Sequence, residues 1–364
     1  MTQNDVIAEF AALVGDSRVI VVAGSGGVGK TTTSAAIAVW AARHGRRVVV
    51  VTIDPAKRLA DALGITGHLG NDAVNIDLPG ARGQLSALML DTRTTFDALI
   101  DRYSPSPDQA ERIRSNLFYR NISSALSGTQ EYMAAEKLFE LCSDTRFDLV
   151  VVDTPPTRQA LDFLSAPQRL RRFIDHPLYR IVIAPSTFGL RAVSAVSQPV
   201  LRTISRVVGA QALDDALSFF KAFQGLDAGF RERAQEVDRV LHDPTTKYFV
   251  VTSAEPEPIS EANYFIGQLE SQGVVPSFLI ANRLTPRFGG AAGETTTAVP
   301  EPLLSNLREL EAERNLEDRN LDPLIARRPG TPFARLPVLT GLLDEPSETL
   351  VLLGQLGSML GGGD

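Results

Sequence analysis

Cysteine is almost missing from this sequence. Its one instance, Cys142, excludes an intrachain disulfide and every metal site built on paired cysteines. It sits in the apolar helical stripe Leu138-Phe-Glu-Leu-Cys142 and reads as a structural thiol. Histidine is nearly as scarce: His44, His68, His176 and His242 lie far apart, show no zinc spacing and are assigned no chemistry. Lysine occurs 5 times against 31 arginines, a compositional bias with no arginine-rich binding stripe. Basic residues number 36 and acidic residues 43, for a net charge of −7, and no block of like charge stands out. That balance argues against nucleic acid or an anionic membrane surface as partner. No apolar segment approaches a membrane span, and Met1-Thr-Gln-Asn-Asp-Val-Ile-Ala-Glu9 lacks the basic and apolar regions of a signal peptide. The expectation is a cytoplasmic protein with no direct membrane insertion.

What is present is concentrated near the N-terminus. The apolar run Val19-Ile-Val-Val-Ala23 breaks into Gly24-Ser-Gly-Gly-Val-Gly29-Lys30-Thr31-Thr32, followed by the helical pattern Ser34-Ala-Ala-Ile-Ala-Val-Trp-Ala-Ala42. A strand, a glycine-rich loop and a helix opening on Lys-Thr are the parts of a phosphate-binding loop. Backbone N–H groups of Gly26, Gly27, Val28, Gly29, Lys30, Thr31 and Thr32 converge on phosphate oxygens in such a loop, as at any helix N-terminus. Lys30 supplies a charge at the β/γ-phosphates, and the Thr31 hydroxyl suits Mg²⁺. The expected ligands are therefore ATP and Mg²⁺. The alternative is a glycine turn in an ordinary βα unit.

The 364 residues suffice for a large α/β domain. Six further runs read as strands: Arg47–Asp54, Gln84–Asp91, Phe147–Asp153, Lys247–Ser253, Ser277–Asn282 and Arg335–Leu339. Val48-Val-Val-Val51 and Leu149-Val-Val-Val152 have no polar face, as in a parallel sheet covered on both sides. The expected fold is a doubly wound, mainly parallel sheet of about seven strands. Residues 92–146 and 158–245 are too long for plain crossovers and read as helical insertions. They are expected to form a subdomain above the carboxyl ends of the strands, within one P-loop domain spanning 1–364. The apolar face in Phe188–Val208 and Leu217–Phe223 reads as helix packing, with a groove for an apolar ligand as the alternative. Residues 286–299 read as a flexible small-residue loop, Leu303–Arg314 as a solvated helix and Ser347–Leu360 as a helix closing the fold.

Ligands in doubly wound sheets sit beyond the carboxyl ends of the strands. Asp153 ends one apolar strand and precedes Thr154-Pro-Pro-Thr157, which fits a carboxylate near Mg²⁺ opposite Thr31. Asp54 ends another and begins Asp54-Pro-Ala-Lys-Arg, which fits orientation of an attacking water. For either aspartate the alternative is a cap on the next helix. The loop, the Asp54-Pro-Ala segment, Asp153-Thr-Pro-Pro-Thr157 and the strand ending Leu279-Ile-Ala-Asn282-Arg together resemble the ArsA family. That family includes arsenical pump-driving ATPases and the eukaryotic ATPase that targets tail-anchored membrane proteins. The resemblance covers most of the chain. It implies that Asp54 and Lys30 are catalytic, that Thr31 and Asp153 lie at the metal, that Asn282 reads the adenine edge, and that Leu336-Pro337 packs on the base.

Departures from the family are as informative. Members usually carry a lysine at the second loop position that reaches across a dimer, and here that position is Ser25. Either Arg58, Lys57 or Arg158 takes over, or a lysine-bearing paralogue supplies the charge. The implied unit is a homodimer or, preferably, such a heterodimer. The zinc-clamp and metalloid-binding cysteines of the family are absent, so metalloid activation is not expected. The chain most resembles the actinobacterial branch, in which unequal paralogues can pair. The implied function is ATP-driven dimer opening and closing for transport or membrane-protein targeting, with an apolar client held by the helical subdomain. The competing readings are a weakly catalytic subunit of a heterodimeric ATPase and a positioning ATPase like ParA or MinD.

Overall fold

A computed structural model describes residues 2–54, 58–65, 67–117, 119–120, 129–176, 225–286, 301–339 and 346–362, with scattered positions between 211 and 223. The chain forms two compact units. The first comprises residues 1–89, 141–161 and 243–364; the second comprises 90–140 and 162–242.

The first unit is built on eight strands. These are β1 (Val19–Gly24), β2 (Arg47–Thr52), β3 (Val74–Ile76), β4 (Gln84–Met89), β5 (Leu149–Asp153), β6 (Thr246–Thr252), β7 (Phe278–Leu284) and β8 (Phe333–Pro337). Their order is β3-β4-β2-β5-β1-β6-β7-β8, and every pairing is parallel except the antiparallel β3–β4 edge. The sheet is thus one strand larger than the expected seven. All six β1 residues are buried, in keeping with a central strand covered on both faces.

Around this sheet lie α1 (Gln3–Asp16), α2 (Lys30–Arg43), the short α3 (Arg58–Ala62), α9 (Pro256–Ser271), α10 (Glu301–Ala326) and α11 (Pro346–Gly361). A Thr2/Asp5 capping box starts α1. Alanine-rich α2 is buried almost all round, and its small side chains let neighbours approach closely. On one side it carries Trp40, whose ring meets Phe10 edge-on at 5.2 Å and stacks on His44 at 3.9 Å. Helix α11 closes over this surface. A Cβ at Gly357 or Gly361 would run into Trp40, and the Trp40 indole N–H donates to the Gly362 carbonyl at 3.0 Å. Ser347–Leu360 therefore closes the fold, as its apolar spacing implies.

The second unit is helical. It holds α4 (Thr92–Tyr103), α5 (Pro107–Ser115), most of α6 (Thr129–Ser143) and of α7 (Thr157–Asp175), and α8 (Asp227–Leu241). Its core gathers Phe96, Leu99, Ile100, Tyr119, Phe223 and Phe230 among others. Within that unit Arg233 grips Glu136 with bonds of 2.6 and 2.8 Å, stacks 3.6 Å over Phe139, and is almost fully buried with its partner. Phe219 and Phe223 from the expected apolar stretch are core residues. Most of that stretch, including 188–208, lies outside the described residues, as do 287–299 of the small-residue loop. Cys142 is half-buried, and burial pushes its thiol up to about 12, consistent with an inert structural role.

Candidate functional site

The loop between β1 and α2 starts at the carboxyl edge of the central strand. Gly24 lies so close to the neighbouring strand that a Cβ would collide with the Val251 carbonyl. Gly29 has φ +91°, a left-handed conformation costly for any side chain, and a Cβ there would meet the Asn282 amide. These two glycines let the chain turn tightly into α2, whose first residue is Lys30. The free N–H groups of that helix end and its dipole favour an anion.

Lys30 is only 8 % exposed, and its ammonium donates to the Ser25 carbonyl at 2.8 Å. Burial lowers its proton affinity, partly offset by the Asp153 and Asp54 carboxylates. The register Thr52↔Asp153 and Val22↔Asp153 sets Asp153 between the ends of β2 and β1. Its Oδ2 accepts from the Thr31 hydroxyl at 2.8 Å and from the Thr52 hydroxyl at 3.0 Å. Its Oδ1 is buried with no hydrogen-bond partner. Desolvation raises the Asp153 carboxyl to about 6 against the two hydroxyl bonds, which favour its charged form. An acid that is 1 % exposed with one oxygen unsatisfied is poorly served by the protein alone, and a divalent cation would serve it.

Asp54 follows directly. Its N–H bonds the Thr52 hydroxyl at 3.2 Å, and its carboxylate lies 3.4 Å from Arg58, which is two-thirds exposed. Lys57 lies outside the described residues. On the opposite flank, the Asn282 amide donates to the Val28 carbonyl at 2.9 Å and Arg283 donates to the Gly27 carbonyl at 3.0 Å. Pro337 pairs in register with Leu284 and lines a cleft of about 410 Å³ with Leu284, Arg314 and Arg335. The structure thus brings Lys30, Thr31, Asp153 and Asn282 to one loop, and sets Pro337 on the neighbouring edge strand.

Two contributors escape a reading of the sequence. Thr52 signals itself only as a polar residue in an apolar strand, and its bond to Asp153 depends on register. Arg283 signals itself only as the residue after Asn282. Among the described residues no group of three or more His, Cys, Asp or Glu side chains could hold a metal by itself. Magnesium in nucleotide sites takes few protein ligands and completes its shell with phosphate and water, so the Thr31/Asp153 pair still fits. Among the described residues no helix is long and apolar enough to cross a membrane.

Residues 17–289 match the family described as anion-transporting ATPase, ArsA type. The ATPase GET3 of Malassezia globosa is 28 % identical over 264 residues, covering 72 % of this chain and 71 % of the relative. The ATPase get3 of Aspergillus terreus is 26 % identical over 304 residues, covering 82 % and 83 %. The matched span contains the loop, both strand-end aspartates and Asn282, so the geometry and the likeness concern the same residues. On both grounds the chain belongs to the ArsA family of anion-transporting ATPases and is a P-loop ATP hydrolase.

Proposed function

We propose that this chain is a Mg²⁺-dependent ATPase whose nucleotide state opens and closes a dimer, in the service of membrane-protein targeting or transport. The observation that carries the reading is the Thr31–Asp153–Thr52 cluster beneath the phosphate loop, with one buried oxygen of Asp153 unpartnered. Thr31 and Asp153 would hold the cation, directly or through water, and when bound it would neutralise charge on the phosphates. Loop N–H groups from Gly26 to Thr32 bind the phosphate chain. Lys30 leaves the Ser25 carbonyl to meet the β/γ-phosphates, which restores a full partner for its buried charge. Asp54 orients the attacking water, and Asn282 and Pro337 hold the base.

Asp54 and Asp153 each stand at a strand end and are joined through Thr52, whose hydroxyl touches both residues. That chain of contacts supports a route by which loss of the γ-phosphate reaches the segment after Asp54. Ser25 supports the heterodimer as the preferred assembly, because the loop itself offers no cation beyond Lys30. An apolar client, such as a membrane-protein segment, is assigned to the helical unit.

The test is Lys30→Ala. Its side chain is replaced at the rim of the sheet, so the fold is expected to persist while calorimetry records loss of Mg-ATP binding. Wild-type affinity in a folded variant would overturn the site. Turnover of the chain alone, compared with its complex with the paralogue, separates a competent enzyme from a weakly catalytic subunit.

A further inference from the structure

Arg283 has φ +63°, the one non-glycine residue with positive φ among the described residues. Such a conformation is uncommon for a long side chain and persists only where its surroundings hold it. The cause is visible in the sheet. Ala281 pairs with Arg335 and Leu284 with Pro337, so β7 spends three steps where β8 spends two. This is a β-bulge, a device that re-aims a side chain next to a site. Asn282 and Arg283 are the bulged residues, and their side chains reach consecutive carbonyls of the phosphate loop, Val28 and Gly27.

The two contacts differ in kind. Asn282 is buried and neutral, whereas Arg283 is exposed and brings a full charge to the loop's rim. A guanidinium carries five N–H donors, and one carbonyl cannot occupy them all. An arginine held in a strained backbone merely to touch one carbonyl is poorly explained, because a glycine or asparagine would relieve the strain. A fixed cation beside a polyphosphate site explains both the bulge and the residue type. The loop's other cation, Lys30, is buried inside it.

We propose that Arg283 is a nucleotide-positioning residue: the bulge docks its guanidinium on Gly27, where it holds the phosphate loop in shape and adds positive charge for the polyphosphate. This inference rests on the ATPase reading above. It names a cation supplied by β7 of the same chain, distinct from Arg58, Lys57 and Arg158 and from a partner's lysine.

Three variants of the full chain test it by calorimetry with Mg-ATP, Mg-ADP and AMP at low and high salt. Arg283→Gln can still donate to Gly27 but has no charge. It is expected to bind Mg-ATP about 10-fold more weakly, the order of losing one unit charge beside a polyphosphate at a protein surface, with a smaller effect on AMP and a flatter salt dependence. Arg283→Lys keeps the charge and should recover most of the affinity. Arg283→Gly removes side chain and strain together, so it should melt no lower than wild type yet bind at least as weakly as the glutamine variant. Arg283→Gln affinity within twofold of wild type, or an equal loss in the lysine and glutamine variants, would overturn the proposal. If the glutamine variant does not fold, the glycine and lysine variants decide by the same comparison. A wild-type chain that fails to bind Mg-ATP would instead remove the ATPase reading on which this rests.

Discussion

Asp153→Asn tests whether the central carboxylate is kept for a ligand at the expense of the unliganded fold. Burial raises this carboxyl from its ordinary value near 3.8 to about 6. At 1.36 kcal/mol per pH unit, that difference is worth about 3 kcal/mol. The sign follows from linkage. A raised value means that the folded state holds the proton more tightly, so the stabilisation is complete below about pH 4 and is lost as pH rises through 6. At pH 8 the folded chain carries the buried charge. About half of the change falls between pH 5 and pH 8. Asparagine has no charge to desolvate and can still accept from Thr31 and Thr52 through one oxygen. Its amide, however, replaces the unpartnered Oδ1, and an unmatched donor costs about 1–3 kcal/mol. The unliganded variant at pH 8 is therefore expected to lie between wild-type stability and a gain of about 2 kcal/mol. At roughly 2–4 °C per kcal/mol for a unit of this size, its melting temperature should rise by up to about 8 °C. Thermal melts at pH 5 and pH 8, with and without Mg-ADP, supply the comparison. The variant should show a smaller pH dependence than wild type and little Mg²⁺-dependent stabilisation. A variant that melts far below wild type at pH 8, yet keeps the full Mg-ADP effect, would show that the Asp153 carboxylate serves the fold and not the cation.

Asp54→Asn should lower kcat by about 10²-fold or more with little change in nucleotide affinity, as for loss of a group that positions water in the transition state; single-turnover kinetics alongside calorimetry decide this, and wild-type turnover would leave Asp54 as a helix cap. The isolated chain should hydrolyse ATP slowly and be accelerated by a lysine-bearing paralogue, since a cation acting across an interface can be worth ~10³-fold in phosphoryl transfer. Full activity in a purified homodimer, lost in Arg58→Ala, would place that cation in the segment after Asp54. In the helical unit, Arg233→Met leaves the buried Glu136 carboxylate with only the half-exposed Arg102 at 3.9 Å and should cost up to about 3–5 kcal/mol, whereas replacing both Arg233 and Glu136 by methionine should recover most of it. Denaturant melts of the two variants measure the difference.

The central strands were legible because they are buried on both faces. Short β-branched runs such as Val48-Val-Val-Val51 favour a strand covered on both faces, and the six runs read as strands correspond to β2 and β4 to β8. Strand β3 was not legible: it has three residues, two of them exposed, too short for any period to show. The last strand runs from Phe333 to Pro337, two residues earlier than expected, because Pro337 meets Leu284 and the chain then leaves the ladder. The phosphate loop was legible from spacing, since few other structures need glycines at those intervals before Lys-Thr. The contributions of Thr52 and Arg283 were not, for a common reason. One arises from the alignment of strands 101 residues apart in sequence, the other from a bulge, and neither leaves a local pattern.

Trp40 is the only tryptophan in the chain, and it sits on the helix that begins at Lys30. The protein therefore contains its own optical reporter. The indole is 6 % exposed, lies against Phe10 and His44, and is capped by the last turn of α11 through Gly357, Gly361 and the Gly362 carbonyl. Every photon of tryptophan emission comes from the seam between the phosphate-loop helix and the chain terminus. Undocking of α11 would bring water to the indole and shift its emission to the red, so a stopped-flow trace after mixing with nucleotide would time movements of that seam without any label.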